Sequence, residues 1–249
     1  MKKLSIAFSL LVLILSSCSS SDKETSASDL LVKSTVITTS TEVVNSLYTY
    51  DGKKLVGVVS DNGSSVAYTY TGDLITKIEN FTDNVLVSSN SYEYDSNNKL
   101  TVSILEIVEP AFIVRRDYFY NLDGTVSVSE VTGATLAELV PSKTENIYFL
   151  DNSINKVEIT NDGSSSIDIT INLSYDTKNN PFKNVLGFDK LMMVESSSNN
   201  NVQYEVLDVV LGTSNYTSSY VYDANDFPIA SLRTAGSSAS NVTTEFFYE

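Results

Sequence analysis

Five Tyr-x-Tyr pairs, at Tyr48/Tyr50, Tyr68/Tyr70, Tyr92/Tyr94, Tyr118/Tyr120 and Tyr220/Tyr222, are spread along the chain. Its 15 tyrosines scattered at random over 249 positions would make about one such pair, so the spacing is a repeat. Residues two apart on a β-strand share a face, and each pair therefore marks a strand with a tyrosine side.

A turn follows the second tyrosine. Asp95-Ser96-Asn97-Asn98, Asn121-Leu122-Asp123-Gly124, Asp176-Thr177-Lys178-Asn179 and Asp223-Ala224-Asn225-Asp226 align without a gap. Asp or Asn in the first place accepts a hydrogen bond from the backbone two residues on, and Gly, Asn or Asp in the fourth tolerates positive φ. That is a type I turn closed by a left-handed residue, a common hairpin loop. Asp51-Gly52 and Gly72-Asp73 are tight-hairpin dipeptides. Return strands follow, as at Leu74-Ile75-Thr76-Lys77-Ile78 and Leu100-Thr101-Val102-Ser103-Ile104.

These units resemble degenerate YD repeats, the Tyr-Asp…Gly-Arg-Leu units of bacterial RHS and teneurin-type shells, with Asn98-Lys99-Leu100 in place of Gly-Arg-Leu. They are more closely similar to the YD-like repeats of secreted lipoproteins of Gram-negative bacteria, a family of unknown function with a porin-like β fold. Asn180-Pro181-Phe182 is similar to an Asn-Pro-Phe element of that family. The resemblance runs from about Leu30 onward and implies a β shell. The Arg of the motif is missing throughout and the chain is too short for a large RHS-type cocoon.

The chain starts with Lys2 and Lys3, continues in an apolar run from Leu4 to Leu15, and reaches Leu15-Ser16-Ser17-Cys18. That run is short for a bilayer span and ends in small residues, as a cleaved signal does. The tetrapeptide resembles the bacterial lipobox. The resemblance implies that Cys18 becomes the lipid-carrying first residue of the mature protein, and two or more acyl chains anchor firmly. The alternative is an ordinary secretory signal. Ser19-Ser20-Ser21-Asp22-Lys23-Glu24 reads either as a flexible tether or, by resemblance, as the Ser-plus-acidic signal that sends some lipoproteins to the outer face of the outer membrane. The expected organisation is a leader over 1–18, a tether over 19–29 and one β-repeat domain over 30–249.

Without its leader the chain carries 14 basic and 31 acidic residues, a net charge of −17. Such a surface repels phosphate backbones and anionic headgroups, so no nucleic-acid partner is expected. There is no His and one Cys, which excludes Ser-His-Asp and Cys-His machinery, His zinc sites and an internal disulfide. No cofactor is expected.

Thr, Val, Ile, Tyr and Phe abound without long helical periodicity. The expected fold is all-β, an antiparallel meander of about a dozen or more strands curled into a barrel or half-open barrel. Second turns at Ser60–Ser64 and Asn161–Ser164 fall opposite the tyrosine turns. Two places break the rhythm. Thr132–Glu145 is longer than a hairpin loop needs, and within it Ala134–Val140 is open to one or two helical turns before Pro141. Pro181–Asn201 contains an apolar insert, in which Leu186, Phe188, Met192 and Met193 are candidate ligand contacts, because long inserts on a regular scaffold tend to carry binding sites.

Other candidates have competing readings. Tyrosine faces can stack on sugar rings or fill the shell. Glu106, Glu109, Asp117, Asp189 and Glu195 offer carboxylates for glycoside hydrolysis or simply solvated charge. The Asp223–Asp226 and Asn161–Gly163 loops offer oxygens to calcium or are turns. Arg115 and Arg116 face opposite sides, one outward and the other able to pair inside. The sequence expectation is a monomeric, non-enzymatic lipoprotein of the envelope that binds a glycan or an envelope protein. Alternatives are a structural or adhesive coat component and a carboxylate-dependent hydrolase.

Overall fold

The computed structural model describes residues 29–236 and 241–249, so the leader, Cys18 and nearly all of the proposed tether lie outside the described residues. The strands are β1 (Val32–Thr38), β2 (Val43–Asp51), β3 (Lys54–Ser60), β4 (Ser64–Thr71), β5 (Leu74–Thr82), β6 (Val85–Tyr94), β7 (Leu100–Ile107) and β8 (Phe112–Tyr120). They continue as β9 (Val126–Gly133), β10 (Val140–Leu150), β11 (Ser153–Asn161), β12 (Ile169–Asn179), β13 (Asn199–Asp208), β14 (Gly212–Tyr222), β15 (Pro228–Ala235) and β16 (Val242–Tyr248). Each pairs antiparallel with its sequence neighbours, and β1 pairs with β16, so the sheet is a closed barrel. Closure removes the open edges that a half-barrel would leave.

The tyrosine turns gather at one end, the base, and the second turns at the other, the mouth. At the base Asn98 (φ 60°), Gly124 (φ 87°) and Asp226 (φ 64°) are left-handed. Asp95 Oδ1 accepts from the amide of Asn97 at 2.8 Å, as an Asx turn requires. The third of the four expected turns, Asp176–Asn179, does not form a hairpin and lies at the end of β12. Asp176 still accepts from the amide of Lys178 (3.0 Å), but its carboxylate also holds Asn200 and the Tyr222 hydroxyl, and the chain runs on into the 180–198 insert. Ala134–Val140 contains only a 3-10 turn, Leu136–Glu138, and Pro141 lies within β10 beside a register shift where its missing N–H is tolerated.

The paired tyrosines point inward, and three of them, together with Tyr248, tie one hairpin to another. Tyr50 donates to the carbonyl of Val32 (2.9 Å), Tyr94 to Ile75 (2.8 Å), Tyr120 to Leu100 (3.1 Å) and Tyr248 to Pro228 (2.8 Å). All four acceptors sit at a register shift, where a bulge takes the ladder out of step and frees a carbonyl for another donor. The repeat is therefore a joint between strands, written as a sequence period.

The insert folds into the base of the barrel. Val185, Phe188 and Leu191 are buried against Leu31, Leu55 and Ile75, while Met192 and Val194 pack on a second cluster with Leu100, Ile147 and Leu173. The Asn184 side chain donates to the Leu30 carbonyl (2.9 Å), and the Leu186 amide donates to that of Lys53 (3.0 Å). At Gly187 φ is +73°, and an added Cβ would lie 2.5 Å from the Asp73 carbonyl, so only glycine lets the insert approach the β4–β5 turn. Sixteen strands enclose more space than their own side chains fill, and the insert supplies the missing core. Phe188→Ala is expected to cost about 3–5 kcal/mol in urea-unfolding free energy, as deletion of a buried aromatic does; a change below about 1 kcal/mol would mean that the insert is not part of the core.

Candidate ligand cavity in the barrel lumen

Above the insert the inward positions turn polar. Ser46 and Ser60, opposite each other on β2 and β3, share a hydrogen bond of 2.8 Å, and Asn80 of β5 donates to Ser88 of β6 at 3.1 Å. On the far side of the lumen, Arg116 lies two residues before Tyr118 and so faces inward, opposite Glu130 of β9. The Arg116 Nε is 2.8 Å from Glu130 Oε2, Lys143 Nζ is 3.6 Å from the same oxygen, and Lys143 Nζ is 2.7 Å from Glu145. The Glu130 side chain is 6% exposed, and Ser142 donates to its other oxygen at 3.2 Å. Burial opposes the charge on Arg116, but Glu145 and Glu130 outweigh it and hold the guanidinium protonated. The four ions neutralise one another.

On the opposite wall a cavity of about 230 Å³ lies between the insert and strands β1, β2 and β14–β16. Tyr48, Phe182, Tyr220 and Phe246 give it aromatic surfaces, and Glu195, Asn200 and Arg233 give it polar groups. Arg233 stacks over Tyr216 (5.0 Å to the ring centre), which itself stacks on Tyr204 (4.9 Å between centres). Neither Arg233 nor Glu195 has an ion-pair partner among the described residues. Asn200 is 1% exposed; its Nδ2 donates to Asn179 O (2.9 Å) and to Asp176, while its Oδ1 accepts no hydrogen bond from the described residues.

The residues singled out from sequence are distributed differently. Phe188 and Met193 face the Leu55 side of the core, Met192 faces the Leu100 side, and Leu186 is exposed at the base. Of the carboxylates, Glu195 alone lines the cavity; Asp117 pairs with Arg115 on the outer face, Asp189 with Lys190 at the base, and Glu106 accepts from Ser89 on the outer wall. The structure thus separates these acids instead of facing two across a cleft. Asp223 is occupied by the amides of Asn225 and Phe227, and among the described residues no group of three or more acids or Cys is arranged to hold a metal. Strand parity could have found Arg116 and Glu130, since both share a face with known inward residues. Nothing short of the fold brings Arg233 and Asn200 together.

The outer wall carries ion pairs two residues apart on single strands: Lys77–Glu79 on β5, Arg115–Asp117 on β8 and Lys156–Glu158 on β11. Exposed pairs of this kind stabilise little, but lysine or arginine at a bilayer midplane costs about 2–4 kcal/mol. The same wall also exposes Leu47, Val59, Phe119, Val221 and Phe247. The mouth is less polar: Val209, Val210 and Leu211 at the β13–β14 turn are 71%, 85% and 87% exposed, and Phe112 and Leu136 are exposed on other mouth segments.

The topology and the filled base define an all-β, closed 16-stranded barrel of porin-like fold. The chain is similar to a porin-like protein from Bacteroides vulgatus, with a TM-score of 0.61 at 15% identity over 89% of this chain and 99% of that one. It is also similar to a porin-like protein from Bacteroides uniformis, with a TM-score of 0.51 at 9% identity over 88% of this chain and 96% of that one. At such identities the likeness is one of fold. No family model matches the chain, and no curated protein sequence matches it significantly.

Proposed function

We propose that this is a non-enzymatic, lipid-anchored binding protein of the bacterial envelope, a tethered cup rather than a membrane-spanning pore. The observation that carries the reading is the division of the barrel's surfaces: ion pairs on the outer wall, an apolar insert filling the base, and a polar lumen reached from the mouth. Val32 enters the barrel at the base, beside Tyr248. An anchor on Cys18 therefore holds the base toward the membrane and presents the mouth to the surroundings, with the exposed Val209–Leu211 tip at its rim. In this reading a glycan or an envelope protein is the ligand. Phe188, Met192 and Met193 act by holding the insert that forms the cavity floor, and the Ser19–Glu24 stretch directs the protein to the outer face.

Cell fractionation of Cys18→Ala tests the anchor and the wall together. The expected result is that the wild type sediments with outer membranes, whereas the variant, carrying no acyl chain, is recovered in the soluble fraction with its fold intact. A variant that stays in membranes after alkaline carbonate washing would show that the barrel itself spans the bilayer, and the pore reading would replace this one. Protease treatment of intact cells adds the side: loss of the wild-type signal before lysis is expected.

A further inference from the structure

We propose that the lumenal cavity bounded by Phe182, Glu195, Asn200 and Arg233 binds a single hydroxyl-rich saccharide unit entering through the mouth. This deepens the binding-protein reading and rests on it. The cavity volume of about 230 Å³ lies below the range typical of drug-sized ligands, which suits one sugar ring with its substituents. The lining is mixed in the way such a ring demands. Tyr48 and Phe182, with ring centres 5.8 Å apart and planes tilted by 39°, offer faces to the apolar C–H side of a pyranose.

The polar groups are complementary to hydroxyls. Arg233 is a fork of donors that stacks on the Tyr216 ring and has no ion-pair or side-chain hydrogen-bond partner among the described residues, so its edge is available to hydroxyl or carboxylate oxygens. Glu195, on the insert, is an acceptor with no protein donor among the described residues. Asn200 is the sharpest indication. Its Nδ2 is committed to the Asn179 carbonyl and Asp176, so the amide cannot flip, and the buried Oδ1 is left as an acceptor without a donor among the described residues. A buried acceptor in that state costs about 1–3 kcal/mol unless something donates to it. A sugar hydroxyl donates and accepts at once, so one ring can serve Asn200 and Glu195 as donor and Arg233 as acceptor. A water molecule can satisfy Asn200 but makes no use of the aromatic faces. A fatty ligand would leave all three polar groups unsatisfied. A polyphosphate would meet one guanidinium beside a carboxylate, on a chain whose acids far outnumber its bases.

The test uses the whole mature chain with Cys18→Ala, screened on an oligosaccharide array and then by calorimetry with neutral hexoses, N-acetylhexosamines and hexuronic acids. Binding is expected, and Arg233→Met and Glu195→Gln are each expected to weaken it by about 10-fold or more, the loss of one hydrogen bond to a charged group. Glu195→Gln should melt as the wild type does, since Glu195 has no ion-pair or hydrogen-bond partner among the described residues, and Arg233→Met should melt only slightly lower, through loss of its stacking on Tyr216. A preference for hexuronic acids that disappears in Arg233→Met supports the proposal and places the sugar carboxylate on that guanidinium. Saccharide binding that both variants retain in full would overturn the cavity assignment while leaving the binding-protein reading in place. No binding of any saccharide at millimolar concentration would overturn the ligand class. The anchored-cup reading is decided independently by the fractionation of Cys18→Ala.

Discussion

Glu130→Ala should unfold in urea with about 3–5 kcal/mol less stability than the wild type, the characteristic loss when one member of a buried ion pair is removed. The Glu130 carboxylate is nearly enclosed and receives Arg116, Lys143 and the Ser142 hydroxyl. Without it, Arg116 and Lys143 sit side by side with Glu145 as their one nearby lumenal anion. The Arg116 side chain keeps 40% exposure and can turn partly toward water, which places the effect toward the lower end of the range. The double variant Arg116→Met, Glu130→Met provides the control. It leaves Lys143 paired with Glu145 and replaces the other pair by apolar contact, so it should recover most of the loss. A single-variant effect below about 1 kcal/mol would mean that the four charges are solvated and independent.

The second large effect is expected at alkaline pH. Burial raises Tyr70, Tyr92 and Tyr120 to about 12, and lifts Tyr50, Tyr68, Tyr94, Tyr175 and Tyr248 further. A tyrosine in the unfolded chain ionises near its ordinary value of 10.0. Between that pH and the raised folded value, the unfolded state has lost protons that the folded state keeps, so stability falls as pH rises. The stabilisation is complete below pH 10 and disappears as the pH passes the folded values. Each well-buried tyrosine of this set adds a slope of about 1.4 kcal/mol per pH unit, three together about 4, and Tyr120, 36% exposed, adds less. A domain with about 5–15 kcal/mol of stability is then expected to unfold within about two to three units above pH 10. Tyrosinate absorbance and far-ultraviolet dichroism, recorded on one titration, should change together in a late cooperative step. Gradual ionisation centred near pH 10 with the β signal intact would contradict the buried clasp.

The wall of this barrel was legible in the sequence because it is written locally. A strand face shows in the alternation around Tyr92 and Tyr94, and the Asp95–Asn98 turn closes with side-chain and backbone groups only a few residues apart. Closure was less legible, since the pairing of β1 with β16 joins segments from opposite ends of the chain. Asp176 misled for a physical reason: it forms the local bond of an Asx turn, yet Asn200 and Tyr222 compete for its carboxylate and draw it into the floor of the lumen. The insert's apolar residues read equally well as an exposed binding loop or as core. The choice was made by Leu31, Leu55 and Ile75, which line a space too wide to fill themselves. Arg233 and Glu195 carry no local signal, because each looks like an ordinary charge until the barrel brings them to one cavity.

The reciprocal main-chain hydrogen bonds between Leu31 and Glu249 set an order of events in the life of the molecule. The first strand has one neighbour within easy reach, β2, and waits for the last strand to supply the other. Contacts so distant in sequence form slowly, because the loop between them must close first. The cylinder is therefore sealed only after β16 has left the ribosome. Until then the N-terminal hairpins are an unsealed sheet, with the free edge of β1 open to any strand that can pair with it.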